Sequence, residues 1–128
     1  MTLIHNKWMN YAILLANRSK GITGKNPPVG CVIVKNDIVL STGSTSTSGR
    51  PHAEENAIMH AARIGISLKG TTAYVTWPPC SRCTRSLIQA GVTEVIFPKD
   101  LDIPERWQKD FDIASGMMNE AGIIVRTA

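Results

Sequence analysis

Two short segments of this 128-residue chain hold residue types that can support metal-assisted chemistry. The first is His52-Ala53-Glu54, and the second is Pro79-Cys80-Ser81-Arg82-Cys83. One imidazole and two thiolates are ligands that suit Zn²⁺, and a set of three protein ligands leaves a fourth tetrahedral position open, as in catalytic zinc sites. These residues therefore predict a zinc centre formed by His52, Cys80 and Cys83.

Glu54 is predicted to act at that centre without binding the metal. It lies roughly 200° around a helix from His52, so the two side chains would not hold one ion side by side. In the first helical turn, however, a carboxylate can reach over the open position. There it can take a proton from a water molecule and deliver it to a leaving group, which makes Glu54 the candidate general acid and base.

Hydrophobic periodicity predicts the elements that must bring the two segments together. The predicted order is α-β-β-α-β-α-β-α-β, with the first two strands in an antiparallel hairpin and the later strands joined through helices. This order predicts an α/β fold, a three-layer α-β-α sandwich around one mixed five-stranded sheet. Both segments open a predicted helix, and such helix starts gather at the carboxyl ends of strands, where ligands bind.

The fourth predicted helix carries an apolar stripe with steps of three or four residues. Its members are Trp107, Phe111, Ala114, Met118 and Ala121. A methionine and aromatic stripe with this spacing is typical of a helix face that packs in the core. We therefore assign no ligand to it.

Composition limits the class of protein. With 43% hydrophobic and 19% charged residues, the chain predicts one globular domain over residues 1–128. No apolar run approaches the ~18 residues of a membrane span and the start lacks the order of a signal peptide, so we expect a cytoplasmic protein. The net charge of +4 suits anionic ligands such as phosphates. A Cys-x-x-Cys pair among three cysteines favours metal or redox chemistry over a structural disulfide.

His-x-Glu followed by Pro-Cys-x-x-Cys is the signature of zinc deaminases. With residues 26–34 and 74–83, it makes the chain resemble the cytidine and deoxycytidylate deaminase superfamily over almost its whole length. The resemblance implies that His52, Cys80 and Cys83 bind zinc and that Glu54 shuttles protons. It also implies that hydroxide attacks a ring carbon bearing an exocyclic amine, which leaves as ammonia.

The resemblance further implies substrate contacts from Asn26 and from the backbone amides of Ala53 and Cys80. Asn26 also suits a plain turn before the first strand. Three cations lie beside these segments, and we expect at least one to contact a phosphate, although solvated surface charge is the commoner role. They are Lys25, Arg50 and Arg82. Members of the superfamily commonly form homo-oligomers, so we expect one here.

Two subfamilies compete for the substrate. Residues 52–58 and the compact Cys-x-x-Cys look like deoxycytidylate deaminases, whereas residues 26–34 and 119–123 look like the deaminase domain of riboflavin biosynthesis. We expect neither the regulatory insertion of the first subfamily nor the longer cysteine interval and fused reductase of the second. We favour a cytosine-type nucleotide such as dCMP or CMP, with the diaminopyrimidine phosphate of riboflavin biosynthesis as the alternative.

Other classes of protein explain fewer of the residues. A structural zinc module needs a fourth ligand, but Cys31 lies in an apolar run and His60 is about two helical turns beyond His52. A Cys-x-x-Cys redox protein has no use for His-x-Glu. Base editing in nucleic acid would need a basic stripe with interleaved aromatics, and the chain has only three Trp, two Tyr and two Phe. Trp77 and Tyr74 flank the second segment, yet packing explains them equally well. We expect a small-molecule substrate and neither a nucleic-acid nor a membrane partner.

Overall fold

The computed structural model describes residues 3–21, 23, 27–46 and 52–128, and its elements follow the predicted order. The helices are α1 (Leu3–Asn17), α2 (Ala53–Ile64), α3 (Ser81–Ala90) and α4 (Glu105–Glu120). The strands are β1 (Gly30–Lys35), β2 (Ile38–Ser44), β3 (Thr72–Val75), β4 (Glu94–Phe97) and β5 (Ile124–Thr127). Within these ranges, no helix has the length and apolar character needed to cross a bilayer.

The five strands form one mixed sheet in the order β2-β1-β3-β4-β5. Strand β1 pairs antiparallel with both β2 and β3, while β3, β4 and β5 run parallel to one another. Strands β2 and β3 therefore end at the same edge of the sheet, on either side of the start of β1. The backbone N–H of Thr45 donates to Val29 at 3.0 Å and that of Thr76 donates to Gly30 at 3.1 Å, which holds the three ends together.

Helices cover both faces of the sheet, so the predicted three-layer sandwich is confirmed. Helix α1 packs on one face, where Trp8, Ala12 and Leu15 meet Val32, Val34, Tyr74 and Ile96. Helices α2, α3 and α4 pack on the other, where Ala57, Leu87 and Met118 meet Cys31, Ile33, Val75 and Val95. The site described below lies at one edge of this second layer.

Small residues let α2 lie close to the sheet. Ala53, Ala57 and Ala61 form its buried face. A Cβ atom on Gly43 of β2 would lie 2.3 Å from the carbonyl oxygen of Ala53, so only glycine fits there. Because this contact falls at the first residue of α2, it sets the position of the helix start that carries His52 and Glu54.

Candidate active site

The two chemistry-bearing segments meet where α2 and α3 begin. His52 precedes α2, Cys80 precedes α3, and Cys83 lies in the first turn of α3. The Nδ1 atom of His52 is 3.2 Å from the Sγ of Cys83 and 3.5 Å from the Sγ of Cys80. Bonds of about 2.0 Å to nitrogen and 2.3 Å to sulfur place ligand atoms of one tetrahedral zinc roughly 3.6 Å apart. Both the donor types and their spacing therefore fit zinc.

The start of α3 controls the charge on the two sulfurs. Cys80 is extended, with φ −70° and ψ 170°, and its Sγ accepts a hydrogen bond from the backbone N–H of Cys83. Hydrogen bonds from Cys83 and His52 lower the pKa of the Cys80 thiol to about 4, and the bond to Cys80 together with burial raises the pKa of Cys83. These interactions favour the thiolate at Cys80 and the thiol at Cys83, and a cation beside the two sulfurs would favour the thiolate at both.

Glu54 is buried beside these ligands, with 4% of its surface exposed, and it lines the same cavity as His52 and Cys80. Burial raises the pKa of Glu54 to about 7. A carboxyl group with a pKa near neutrality can both accept and donate a proton, which general acid and base catalysis requires.

The cavity has a volume of about 270 Å³ and is lined by two chemically unlike groups of residues. By the chemistry of their side chains, we call His52, Glu54 and Cys80 its metal side, and Trp77, Trp107 and Phe111 its aromatic side. The rings of Trp77 and Trp107 are 5.8 Å apart at 88°, and Trp107 and Phe111 are 6.1 Å apart at 84°. These edge-to-face contacts stabilise the rings as a group.

The aromatic side corrects the interpretation of the α4 stripe as core alone. Ala114 and Met118 are buried as predicted, but Phe111 and Trp107, one and two turns before Ala114, are half-buried and line the cavity. Ala121 is exposed where the helix ends. Periodicity cannot distinguish a side chain that packs in the core from one that lines a cavity, because both face inward.

The predicted substrate contacts have different outcomes. Lys25, Asn26 and Arg50 lie outside the described residues. Ala53 is buried as the first residue of α2, and Cys80 lines the cavity. The structure gives Arg82 another partner, since its Nη2 and Nε atoms donate to Glu55 at 2.8 and 3.0 Å, and Arg82 is not among the cavity-lining residues.

Sequence reasoning missed two charged residues at the cavity, Arg106 and Asp110 of α4. The Arg106 guanidinium lies 5.2 Å from the centre of the Trp107 ring. Asp110 accepts hydrogen bonds from the backbone and hydroxyl of Ser81 at 2.9 and 2.6 Å. A signal for both was available: α4 follows β4, and helix starts after parallel strands gather at the ligand edge.

The spare candidates for a fourth ligand do not join the site. Cys31 is fully buried in the core, and the Nδ1 of His60 lies 2.8 Å from the carbonyl oxygen of Thr42. Tyr74 is buried on the α1 face, with its hydroxyl 2.7 Å from the Nδ1 of His5, so Trp77 alone of that pair lines the cavity. Within the described ranges, His52, Cys80 and Cys83 are the one group of side chains close enough to hold a metal ion.

This geometry agrees with the family to which the chain belongs. The family model for the cytidine and deoxycytidylate deaminase zinc-binding region matches residues 3–99. The chain is a member of this family of zinc-dependent deaminases, and zinc is its metal. The predicted family, fold and cofactor are confirmed.

The similar proteins include both riboflavin-biosynthesis deaminases and a dCMP deaminase. The riboflavin biosynthesis protein RibD of Haemophilus influenzae is 38% identical over 122 residues, which are 91% of this chain and 31% of that protein. A crystal structure of a diaminohydroxyphosphoribosylaminopyrimidine deaminase/reductase from Thermotoga maritima has a TM-score of 0.86 at 30% identity, over 97% of this chain and 36% of that one. A dCMP deaminase from the cyanophage S-TIM5 has a TM-score of 0.77 at 25% identity, over the full length of both chains. The chain thus spans about a third of the RibD-type proteins.

Proposed function

We propose that this chain hydrolytically removes an exocyclic amine from a phosphorylated pyrimidine, and that the diaminopyrimidine phosphate of riboflavin biosynthesis is its substrate. The sequence alone favoured a cytosine nucleotide and kept this substrate as the alternative. The relatives named RibD reverse that preference, because they are more similar to this chain in both sequence and fold than the dCMP deaminase is. The substrate in the name of the Thermotoga maritima enzyme is carried to this chain by similarity.

One observation carries the proposal of deamination: a buried carboxyl group and zinc ligands line the same cavity as a group of aromatic rings. The carboxyl of Glu54, the imidazole of His52 and the sulfur of Cys80 share that cavity with Trp77 and Trp107. A planar heterocycle bound in this cavity would stack on the rings and present its amine to Glu54.

The chain's own residues then move the protons. When bound, zinc supplies a positive charge that makes a water molecule acidic at neutral pH. Glu54 accepts a proton from the attacking water as the C–O bond forms, and it then passes the proton to the exocyclic amine, so that the C–N bond breaks and ammonia leaves. Because Glu54 is buried and lines the cavity, its carboxyl is placed to exchange protons with a bound substrate.

A phosphate on the substrate fits the charge at the cavity. Arg106 is the one Lys or Arg among the described residues that line it. The guanidinium of Arg106 can bind phosphate in a bidentate way, and the net charge of +4 favours the approach of an anion. Arg106 therefore joins Lys25 and Arg50 as a candidate phosphate contact, whereas Arg82 is paired with Glu55.

A cytosine nucleotide is the second candidate, and two observations favour it. The cysteines are separated by only two residues, as in the deoxycytidylate deaminases that the chain resembles, and the cyanophage dCMP deaminase matches over the full length of both chains. A base within nucleic acid is the third candidate.

An ammonia-release assay of the zinc-loaded protein tests the proposal. The panel comprises the diaminopyrimidine phosphate, dCMP, CMP, deoxycytidine, cytosine, adenosine, guanine and a transfer RNA. We expect the highest kcat/KM for the diaminopyrimidine phosphate. A preference for dCMP or CMP would establish the second candidate in its place, and turnover of the transfer RNA would establish the third. The absence of turnover throughout, with zinc retained, would overturn deamination itself.

Three further expectations stay predictions. We propose that residues 1–128 form a single domain, that the protein works in the cytoplasm, and that it is a homo-oligomer. Several large apolar side chains are exposed on α1 and β5, including Leu14 at 65% and Ile124 at 52%, which supports an interface with a second copy. Light scattering coupled to size-exclusion chromatography would give the mass in solution, and a monomer would refute the last expectation.

A further inference from the structure

The two residues between the zinc-binding cysteines are each held by a carboxylate from a different helix. Asp110 of α4 accepts two hydrogen bonds from Ser81, one from its backbone N–H and one from its hydroxyl. Glu55 of α2 accepts from the Nη2 atom of Arg82 with both of its oxygens, at 2.8 Å each, and from the Nε atom at 3.0 Å. The turn that carries Cys80 and Cys83 is therefore fixed from two directions.

Glu55 also holds the third zinc ligand. Its Oε1 atom accepts a hydrogen bond from the backbone N–H of His52 at 3.0 Å, in the capping geometry of a helix start. One carboxylate thus connects the residue before α2 with the first turn of α3. This connection joins His52 to the cysteine pair with no metal ion in between.

Global stability does not explain this arrangement. The Arg82 side chain is 45% exposed, and exposed ion pairs contribute little to the free energy of unfolding. The position of the pair is what distinguishes it, because hydrogen bonds to metal-binding segments hold the ligands in place and so set metal affinity.

We propose that Glu55 and Arg82 are positioning residues that hold His52, Cys80 and Cys83 at the spacing zinc requires, and that they slow the loss of the metal. The proposal concerns the metal site alone, so it stands whichever pyrimidine the cavity takes. It gives Arg82 a role different from the phosphate contact expected from sequence.

Zinc release from the full chain tests the proposal. Arg82→Gln and Glu55→Gln should each weaken zinc binding by about 10–100-fold in competition with a chromogenic chelator. The double variant should lose no more than the worse single variant, because both act through one contact. Arg82→Lys keeps the charge but not the planar fork, so it should fall between wild type and Arg82→Gln.

A spectroscopic readout and a matched control separate positioning from a general structural effect. Cobalt in place of zinc should show a changed d–d absorption band in Glu55→Gln, with circular dichroism showing an unchanged fold. Arg126→Gln is the control, since Arg126 pairs with Glu94 at the β4–β5 edge with similar exposure, 55% for Arg126 and 19% for Glu94, against 19% for Glu55. Arg126→Gln should leave zinc affinity unchanged.

Two results would overturn the proposal. One is zinc affinity in Arg82→Gln and Glu55→Gln equal to that of wild type and Arg126→Gln. The other is a normal zinc affinity with a raised KM for phosphorylated substrates alone in Arg82→Gln, which would assign Arg82 to phosphate binding. Neither result bears on which substrate is deaminated, so the proposed function is tested separately.

Discussion

The metal side and the aromatic side of the cavity are built differently. On the metal side, Glu54 is 4% exposed and His52 is tied through its backbone to Glu55, which pairs with Arg82. On the aromatic side, Trp77 and Trp107 are half-buried and contact each other through ring edges 5.8 Å apart. Directional hydrogen bonds hold one side and non-directional packing holds the other. Reaction chemistry can therefore stay constant on the metal side while side-chain changes on the aromatic side alter the substrate.

The largest expected effect is on the metal side. Glu54→Gln keeps the shape of the side chain but removes proton transfer, so kcat for ammonia release should fall by about 10²–10⁴-fold. Zinc content, measured by atomic emission, should stay at one ion per chain because Glu54 is not a ligand. Glu120→Gln, at the exposed end of α4, is the control and should keep full activity. More than a tenth of wild-type kcat in Glu54→Gln would mean that another group shuttles the proton.

The next largest effect concerns the C-terminal half of α4, which packs in the core. A substitution there should lower the stability of the fold and leave catalysis unchanged. Met118 is 3% exposed among core side chains from the sheet and α2, so Met118→Ala should lower the free energy of unfolding by about 2–5 kcal/mol. Urea denaturation measures this, and KM at a temperature where the variant stays folded should not change. Ile113→Ala, at a 51% exposed position of the same helix, should change stability by less than about 0.5 kcal/mol. A changed KM in Met118→Ala would show that the two halves of α4 are not separable.

The cavity half of the same helix should show the reverse pattern. Trp107→Ala removes a ring from the aromatic side, and loss of stacking on a base costs about 1–3 kcal/mol, so KM should rise by about 5–150-fold. Zinc content should not change, because the Trp107 ring packs on Trp77 and Phe111 and Trp107 is not one of the three zinc ligands. Trp107→Phe should recover part of the affinity. An unchanged KM in Trp107→Ala would return the whole stripe to the core and remove the aromatic side from substrate binding.

The Met118→Ala and Trp107→Ala variants also show how much of the fold and the site can be predicted from sequence. The order of elements, the mixed sheet and the zinc centre were all predictable, because periodicity and ligand types are local properties. His52 and Cys83 are 31 residues apart, but each stands at a predicted helix start, and parallel strands bring such starts together.

The sequence could not predict the contacts between side chains that are far apart along the chain. Nothing in the local pattern links Arg82 to Glu55, 27 positions earlier, or Ser81 to Asp110, 29 positions later. For the same reason Arg82 was expected to be available to phosphate. Trp107 and Met118 have equivalent places in one apolar stripe, and only the volume in front of each side chain makes one a cavity residue and the other a core residue.

The smallest effect we predict tests whether the aromatic side also carries the phosphate contact. A hydrogen bond to a charged group contributes about 1.5 kcal/mol, so Arg106→Ala should raise KM for a phosphorylated substrate about tenfold. The same variant should leave KM for the dephosphorylated compound unchanged, and the difference should shrink in high salt as the charges are screened. Lys109→Ala is the matched control, because Lys109 lies one turn along α4, is exposed and does not line the cavity. Equal increases in KM for both compounds would mean that Arg106 acts by supporting the Trp107 ring beneath it, and the phosphate contact would then belong to another residue.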